Sequence, residues 1–293
     1  MSFAISTDTS ANLPTAELQW HQLYLLPFSY IVDDVEHQCL DLTAFDGDAY
    51  YEMLRHTPAS TSMISMDQYR RLWEPLLQEG QDVLHVGMSS GISGAYQSAV
   101  MAARELREAY PDRRLVVFDT RAASLGEGIQ VLHAATCREA GYTLDETVRE
   151  LTELRPRIRQ IFTVDDLMHL RRGGRVSAVS AAVGTALRIK PLLKGDEAGR
   201  IVVFGKVQGR KRSVRALADN FAANAELLGR WPVGIAHAGC RDEALALAAM
   251  LKVHDPKARV IVVDYEPVTG SHVGPGALAM FYVAKEPWPS AIC

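Results

Sequence analysis

Residues 82–109 constrain the fold more than any other stretch. The short run Val83–Gly87 stops at a glycine, and a turn of Met88-Ser89-Ser90-Gly91 follows. From Ser93 to Ala109 a helical pattern sets Tyr96, Ala99, Val100, Ala103 and Leu106 on one face. A buried strand that passes through a Gly/Ser turn into a helix is half of a βαβ unit. It demands a sheet with helices packed against its faces.

The alternation continues along all 293 residues. Strands are predicted at Phe3–Ser6, Leu23–Pro27, Leu115–Phe118, Ile158–Val164, Ile201–Gly205, Val233–His237, Arg259–Val263 and Leu278–Val283. Helical periodicity covers Asp48–Arg55, Met66–Leu77, Ala122–Ala140, Leu144–Leu154, Val176–Leu187, Ser213–Leu228 and Asp242–His254. The strand runs lack strict alternation, as expected for a sheet buried on both faces. The pattern changes near Arg155–Arg159, where a basic stretch opens a half with longer connections. An α/β chain of two domains, 1–160 and 161–293, is therefore expected.

Charge is unevenly placed. From Arg155 to Arg215 there are 15 Lys/Arg against 4 Asp/Glu, a surplus of 11, within a chain of net charge −4. Such a window is either a solvated face or a docking surface for an acidic partner or phosphate. Aromatics that would stack on nucleic acid are nearly absent there, because Phe162 and Phe204 lie in strand-like runs. No apolar stretch is long enough to span a membrane, and the first residues lack the pattern of a secretory leader. The cysteines at 39, 137, 240 and 293 stand singly, which suits free thiols in a cytoplasmic protein. No Walker A, G-x-G-x-x-G, H-E-x-x-H or EF-hand pattern occurs, so no cofactor and no metal are expected.

Four polar motifs remain. The turn before the Ser93 helix is a ready anion site, with backbone N–H groups and the hydroxyls of Ser89, Ser90 and Ser93. Equally, Ser93 can serve as a helix cap. The same turn, Gly87-Met88-Ser89-Ser90-Gly91, matches the G-x-S-x-G elbow of serine hydrolases, with Asp264 and His272 available in the order Ser, Asp, His. In the segment Ser60–Ser65, Ser65 and Gln68 fit a capping box, which leaves Thr61 and Ser62 in a polar loop without structural work. His272 stands in a glycine- and proline-rich loop, Gly270–Ala277, and Arg171-Arg172-Gly173-Gly174-Arg175 forms a basic turn.

Taken in order, these motifs resemble a known family. The series is Ile5–Pro14, Thr61-Ser62 with Ser65, Ser89–Ala99, Arg172–Ser177, Lys190-Pro191 and Gly274–Ala277. It is similar to that of the DegV family of bacterial fatty-acid-binding proteins and spans nearly the whole chain. The resemblance implies a parallel-sheet N-terminal domain and a mixed-sheet α/β C-terminal domain, with a long-chain fatty acid between them. It implies that the hydroxyls of Thr61 and Ser93 hold the carboxylate, with Ser62 and Gly94 beside them and His272 in the head-group network. It also implies a carrier with no catalytic residue of its own, which presents the lipid to a separate ATP-dependent kinase for acyl-phosphate formation. Arg171, Arg172 and Arg175 are the docking candidates. A serine hydrolase and a kinase-independent lipid sensor are the alternatives. Two departures stand out. The family's usual TSQPS reads Thr61-Ser62-Met63-Ile64-Ser65, and its usual Thr after the serine turn is Ala95.

Overall fold

The computed structural model describes residues 3–176, 189–227 and 229–288. Three sheets organise them. In the N-terminal half, β1 (Ala4–Asp8), β2 (Tyr24–Leu26), β6 (Val83–Gly87) and β7 (Leu115–Asp119) form an all-parallel sheet in the order β2-β1-β6-β7. In the C-terminal half, β8 (Ile158–Thr163), β9 (Ile189–Gly195), β10 (Ile201–Gln208), β11 (Val233–His237), β12 (Val260–Asp264) and β13 (Leu278–Val283) form a mixed sheet in the order β10-β9-β8-β13-β11-β12. Only the β11–β12 pair there is parallel.

The helices follow from their apolar faces. On one side of the parallel sheet lie α3 (Met66–Gln78) and α4 (Ala95–Ala109), which bury Tyr69, Trp73, Leu76, Ala99, Ala103 and Leu106. The predicted capping box forms, with Ser65 Oγ accepting the Gln68 N–H and Gln68 Oε1 accepting the Ser65 N–H. On the other side, α5 (Leu125–Glu139) is buried almost all round and touches β1 and β6 as well as β8, β11 and β13. It is the wedge that holds the two sheets apart. Behind it lies α6 (Leu144–Leu154), and α8 (Arg210–Asn224) and α9 (Arg241–His254) cover the mixed sheet. Among the described residues no helix is long and apolar enough to cross a membrane.

Some elements escaped the sequence pattern. A third, antiparallel sheet joins β3 (Ser29–Val32), β4 (Val35–Gln38) and β5 (Ser60–Ser62). Its hairpin turns through Asp33 and Asp34, both at positive φ (49° and 62°), as a two-residue primed turn requires. Thr61 and Ser62 thus lie on strand β5, opposite Tyr30 and Ser29, and not in a polar loop. Four short helices, α1 (Thr15–Trp20), α2 (Gly47–Met53), α7 (Met168–Arg172) and α10 (Pro267–Val273), also form; α2 was expected, the other three were not. The first half of the expected Gly270–Ala277 loop, up to Val273, is therefore helical. Glu266 starts α10 by accepting the Val268 and Thr269 N–H groups, Pro267 fits its first turn, and Gly274 at φ +78° ends it. The helix expected over Val176–Leu187 falls, from residue 177 on, outside the described residues.

A buried polar network fixes the C-terminal edge of the parallel sheet. Asp8 accepts the Ser10 N–H at 2.9 Å and the Met88 N–H at 3.1 Å, which ties β1 to the turn after β6. Ser10 Oγ lies 2.6 Å from both Asp8 Oδ1 and Glu127 Oε2. One hydroxyl carries one proton, so a carboxyl must donate one of these bonds. Burial, followed by the charge of Asp8, pushes Glu127 well above its ordinary value, so Glu127 is the group that keeps the proton.

Candidate functional site

A cavity of about 240 Å³ lies between the parallel and mixed sheets. Met88 and Ile92 from the turn after β6, Ala122 and Ala123 before α5, and Phe28 line one side. Phe162, Ile201 and Phe281 from the mixed sheet line the other, and Val268 and Val273 from α10 add to the lining. The position, beyond the C-terminal ends of parallel strands, is the usual ligand crevice of an open α/β sheet.

One end of the cavity is polar, and the predicted residues meet there. Thr61, Ser62, Ser93, Gly94 and His272 all line it, and so does Arg175. Thr61 Oγ1 and His272 Nε2 are 3.0 Å apart. The His272 ring lies so close to Gly173 that a Cβ there would meet Nδ1 at 2.4 Å, which is why the basic turn needs a glycine. Arg175 donates from Nε to the Ile92 carbonyl at 3.2 Å and from its terminal nitrogen to the Gly173 carbonyl. Gly94 faces the Met63 thioether, where a Cβ would stand 3.0 Å from the sulfur. Strand β5, the α4 turn, the Arg171–Arg175 turn and α10 therefore close around one point.

The serine turn divides its work. Ser89 is fully buried, donates to the Gly199 carbonyl at 2.9 Å and accepts the Gly91 N–H at 3.0 Å. Gly199, at φ +73°, leaves no room for a Cβ beside that hydroxyl. Ser90 Oγ donates to Asp119 Oδ2 at 2.6 Å. Ser93 Oγ accepts the Ala95 N–H at 3.2 Å, which leaves its proton uncommitted among the described residues. The cap position of α4 is Gly94, with no side-chain cap. The hydrolase triad does not assemble: Asp264 stands 3.1 Å from His237, and His272 bonds to Thr61.

Electrostatically the lining suits an anion. Among the described residues it carries one guanidinium and no carboxylate. Burial, followed by the charge of Arg175, pushes His272 down to about 4, so the imidazole is neutral at pH 7. As the Nε2–H tautomer it donates to Thr61 Oγ1 and frees the threonine proton for a ligand. Sequence reading missed Thr269, whose buried hydroxyl lines the same cavity and has no partner among the described residues. Its only signal is its place three residues before His272, one helical turn away.

Part of the basic window is neutralised in the fold. Arg157 pairs with Glu226, Lys190 with Asp165, Arg210 with Glu243 and Arg215 with Asp219. Arg171 and Arg172 are exposed, whereas Arg175 is half-buried at the cavity wall. Among the described residues no cluster of His, Cys, Asp and Glu is placed to hold a metal ion.

The geometry matches known proteins over nearly the full length. The family model described as "Uncharacterised protein, DegV family" matches residues 2–285. A DegV domain-containing protein of Clostridium perfringens is 35% identical over 289 residues, covering 97% of this chain and 99% of its own. Among solved structures, a fatty acid binding DegV family protein from Streptococcus agalactiae is 31% identical with a TM-score of 0.84, covering 98% of this chain and 100% of its own. A DegV family protein from Thermus thermophilus, described for its fatty acid binding, is 26% identical with a TM-score of 0.86, covering 97% and 100%. By its matched sequence and its two-sheet architecture, this chain belongs to the DegV family.

Proposed function

We propose that this protein carries a long-chain fatty acid, with the carboxylate hydrogen-bonded by Thr61 and Ser93 and the tail buried between the sheets. The observation that carries this reading is an apolar cavity whose polar end, among the described residues, presents hydroxyls and one guanidinium and no acid. Ser62, Gly94 and His272 complete the head-group ring. A carboxylate is costly to bury unpaired, and two hydroxyl donors beside a helix N-terminus offset that cost. Each buried methylene adds about 0.8 kcal/mol, so the tail supplies much of the affinity.

The carrier hands the lipid to a separate ATP-dependent kinase. A carboxylate oxygen attacks the γ-phosphorus of ATP, the bond to the ADP oxygen breaks, and an acyl phosphate remains. Arg171 and Arg172, exposed beside the head-group end, are the docking residues in this reading, and Arg175 links that turn to the cavity. We divide the chain into domains near residue 160 and place it in the cytoplasm, where Cys39, Cys137 and Cys240 stay as free thiols.

Native mass spectrometry of the protein purified from cells should find one long-chain fatty acid per chain. No bound or titratable fatty acid would sink the proposal. A pull-down that recovers no kinase while lipid remains bound would shift the reading to a kinase-independent lipid sensor.

A further inference from the structure

The cavity ends on a single side chain. Gln160 and Phe162 lie two residues apart on β8 and so project to the same face, and both line the cavity. Strand β8 runs antiparallel to β13, with Thr163 opposite Leu278 and Gln160 opposite Phe281. Helix α10, which carries His272, leads into β13 from the Leu278 side. The polar end therefore lies near the Thr163–Leu278 pair, and Gln160 sits three residues farther along, roughly 10 Å at the rise of a strand.

Beyond Gln160 is a second hollow of about 300 Å³. The two spaces share Gln160 and Gly195 as lining, so the wall between them is one side chain thick. Both ends of the amide are held. Oε1 accepts the Ala123 N–H at 2.9 Å, and Nε2 donates to the Arg121 carbonyl at 3.0 Å. Bare glycines admit it from both sides: a Cβ on Gly126 would stand 2.9 Å from its Cγ, and one on Gly195 would stand 2.7 Å from its Nε2. The outer hollow is bounded by Arg121, Arg155 and Trp288. Trp288 is itself fixed, with the Arg159 guanidinium 4.3 Å and the Lys194 ammonium 3.8 Å from its ring centre. An acyl chain running from Thr61 along β8 meets a satisfied amide, and behind the amide lies unused space.

We propose that Gln160 is the floor of the acyl tunnel and sets the longest chain the protein accepts. This rests on the fatty-acid reading above. The competing role is a latch that merely joins β8 to the 121–123 loop. The test is the affinity of the intact protein for saturated fatty acids from about 14 to 22 carbons, measured by competition against one reporter lipid. Affinity for the native protein should rise about fourfold per methylene up to a limit and then drop. Gln160→Ala should move that limit by two carbons or more and shift the ratio of long-chain to short-chain affinity at least tenfold. Gln160→Met, of equal reach without the hydrogen bonds, should leave the limit where it was. An unmoved limit in folded Gln160→Ala overturns the proposal and makes Gln160 a latch, as does a limit that moves equally in Gln160→Met. If Gln160→Ala does not fold, Gln160→Asn keeps the amide and retreats by one carbon. It should move the limit by one or two carbons, and no movement overturns the proposal. A native protein that binds no fatty acid overturns both readings, whereas an unmoved limit removes this one alone.

Discussion

Two clusters of polar groups sit close to the C-terminal edge of the same parallel sheet, and they are built differently. In the first, Asp8, Ser10, Thr7 and Glu127 satisfy one another and the Met88 N–H, and every bond closes inside the protein. In the second, Thr61, Ser93, His272 and Arg175 gather around a cavity, where the Ser93 proton, and the Thr61 proton when His272 carries its own on Nε2, is available to something else. A closed cluster is scaffold, because a buried polar group costs free energy until it is paired. An open cluster beside an apolar cavity waits for a ligand. The difference lies in which atoms are used up, and burial alone does not reveal it.

The comparison breaks most visibly at Asp8. Asp8→Ala strands two N–H donors and the Ser10 hydroxyl in the interior. Folding stability should fall by about 3 kcal/mol or more, read from the urea midpoint. A loss below about 1 kcal/mol would mean that water replaces the carboxylate and that the cluster is not closed. At the open cluster the effect should appear elsewhere. Thr61→Ala and Ser93→Ala each remove a hydrogen bond to a charged group and should weaken fatty-acid binding by about 1.5–3 kcal/mol, with stability changed by less than about 1 kcal/mol. Calorimetry of binding and melting on the same samples separates the two readouts. Unchanged affinity in both variants would place the head group elsewhere.

Much of this was legible in the sequence, for physical reasons that also explain the gaps. Val83–Gly87, Val233–His237 and Leu278–Val283 are wholly buried strands, and their largely apolar runs gave them away. Strand β4 is exposed along its length, so Val35–Gln38 has no apolar signal, and its partners β3 and β5 went unread with it. Thr61 was visible as a hydroxyl without local work, but its place on β5 follows from pairing with Tyr30, thirty-one positions away. His272 looked like a loop residue because glycines surround it. The helix beneath it is decided by the Glu266-Pro267 start, a cap signal overlooked among those glycines. Thr269 and Gln160 are ordinary polar residues in sequence, and only the meeting of two sheets gives them a cavity to face.

pH sharpens the contrast within the scaffold itself. His85 is buried beneath the sheet, where Trp73 Nε1 donates to Ser6 Oγ at 2.9 Å and Ser6 Oγ lies 3.1 Å from His85 Nδ1. Burial pushes His85 down to about 3 from 6.5, so the ring is neutral in the fold. The unfolded chain takes up the proton first as pH falls. The contribution of His85 is therefore complete above about 6.5 and is lost progressively toward pH 3. Glu266 runs the other way: burial raises it to about 7, so its contribution is complete below about 4.5 and is lost as pH rises toward 7. His85→Asn keeps an acceptor for Ser6 and leaves Glu266 in place, so the difference between the two proteins isolates the histidine. Between about pH 4 and 6, the slope of stability against pH should be more positive for the native protein than for His85→Asn, by about 1.4 kcal/mol per unit. Parallel curves would show that the ring is protonated in the fold.

The smallest effect is expected where the protein has neither closed nor open polar clusters, at exposed Arg171 and Arg172. Neither lines the cavity, and α7 presents both to solvent. Replacing them by alanine should change stability and fatty-acid affinity by less than about 0.5 kcal/mol each. Arg175 differs although it belongs to the same turn, because its guanidinium is spent on the Ile92 and Gly173 carbonyls beside His272. Arg175→Ala should therefore weaken lipid binding while Arg171→Ala and Arg172→Ala do not. If the exposed pair docks a kinase, their loss should lower the rate of acyl-phosphate formation at low carrier concentration, and added salt should lower the native rate in the same way. A rate indifferent to both arginines and to salt would move the docking surface away from this turn, with the cavity and its hydroxyls untouched.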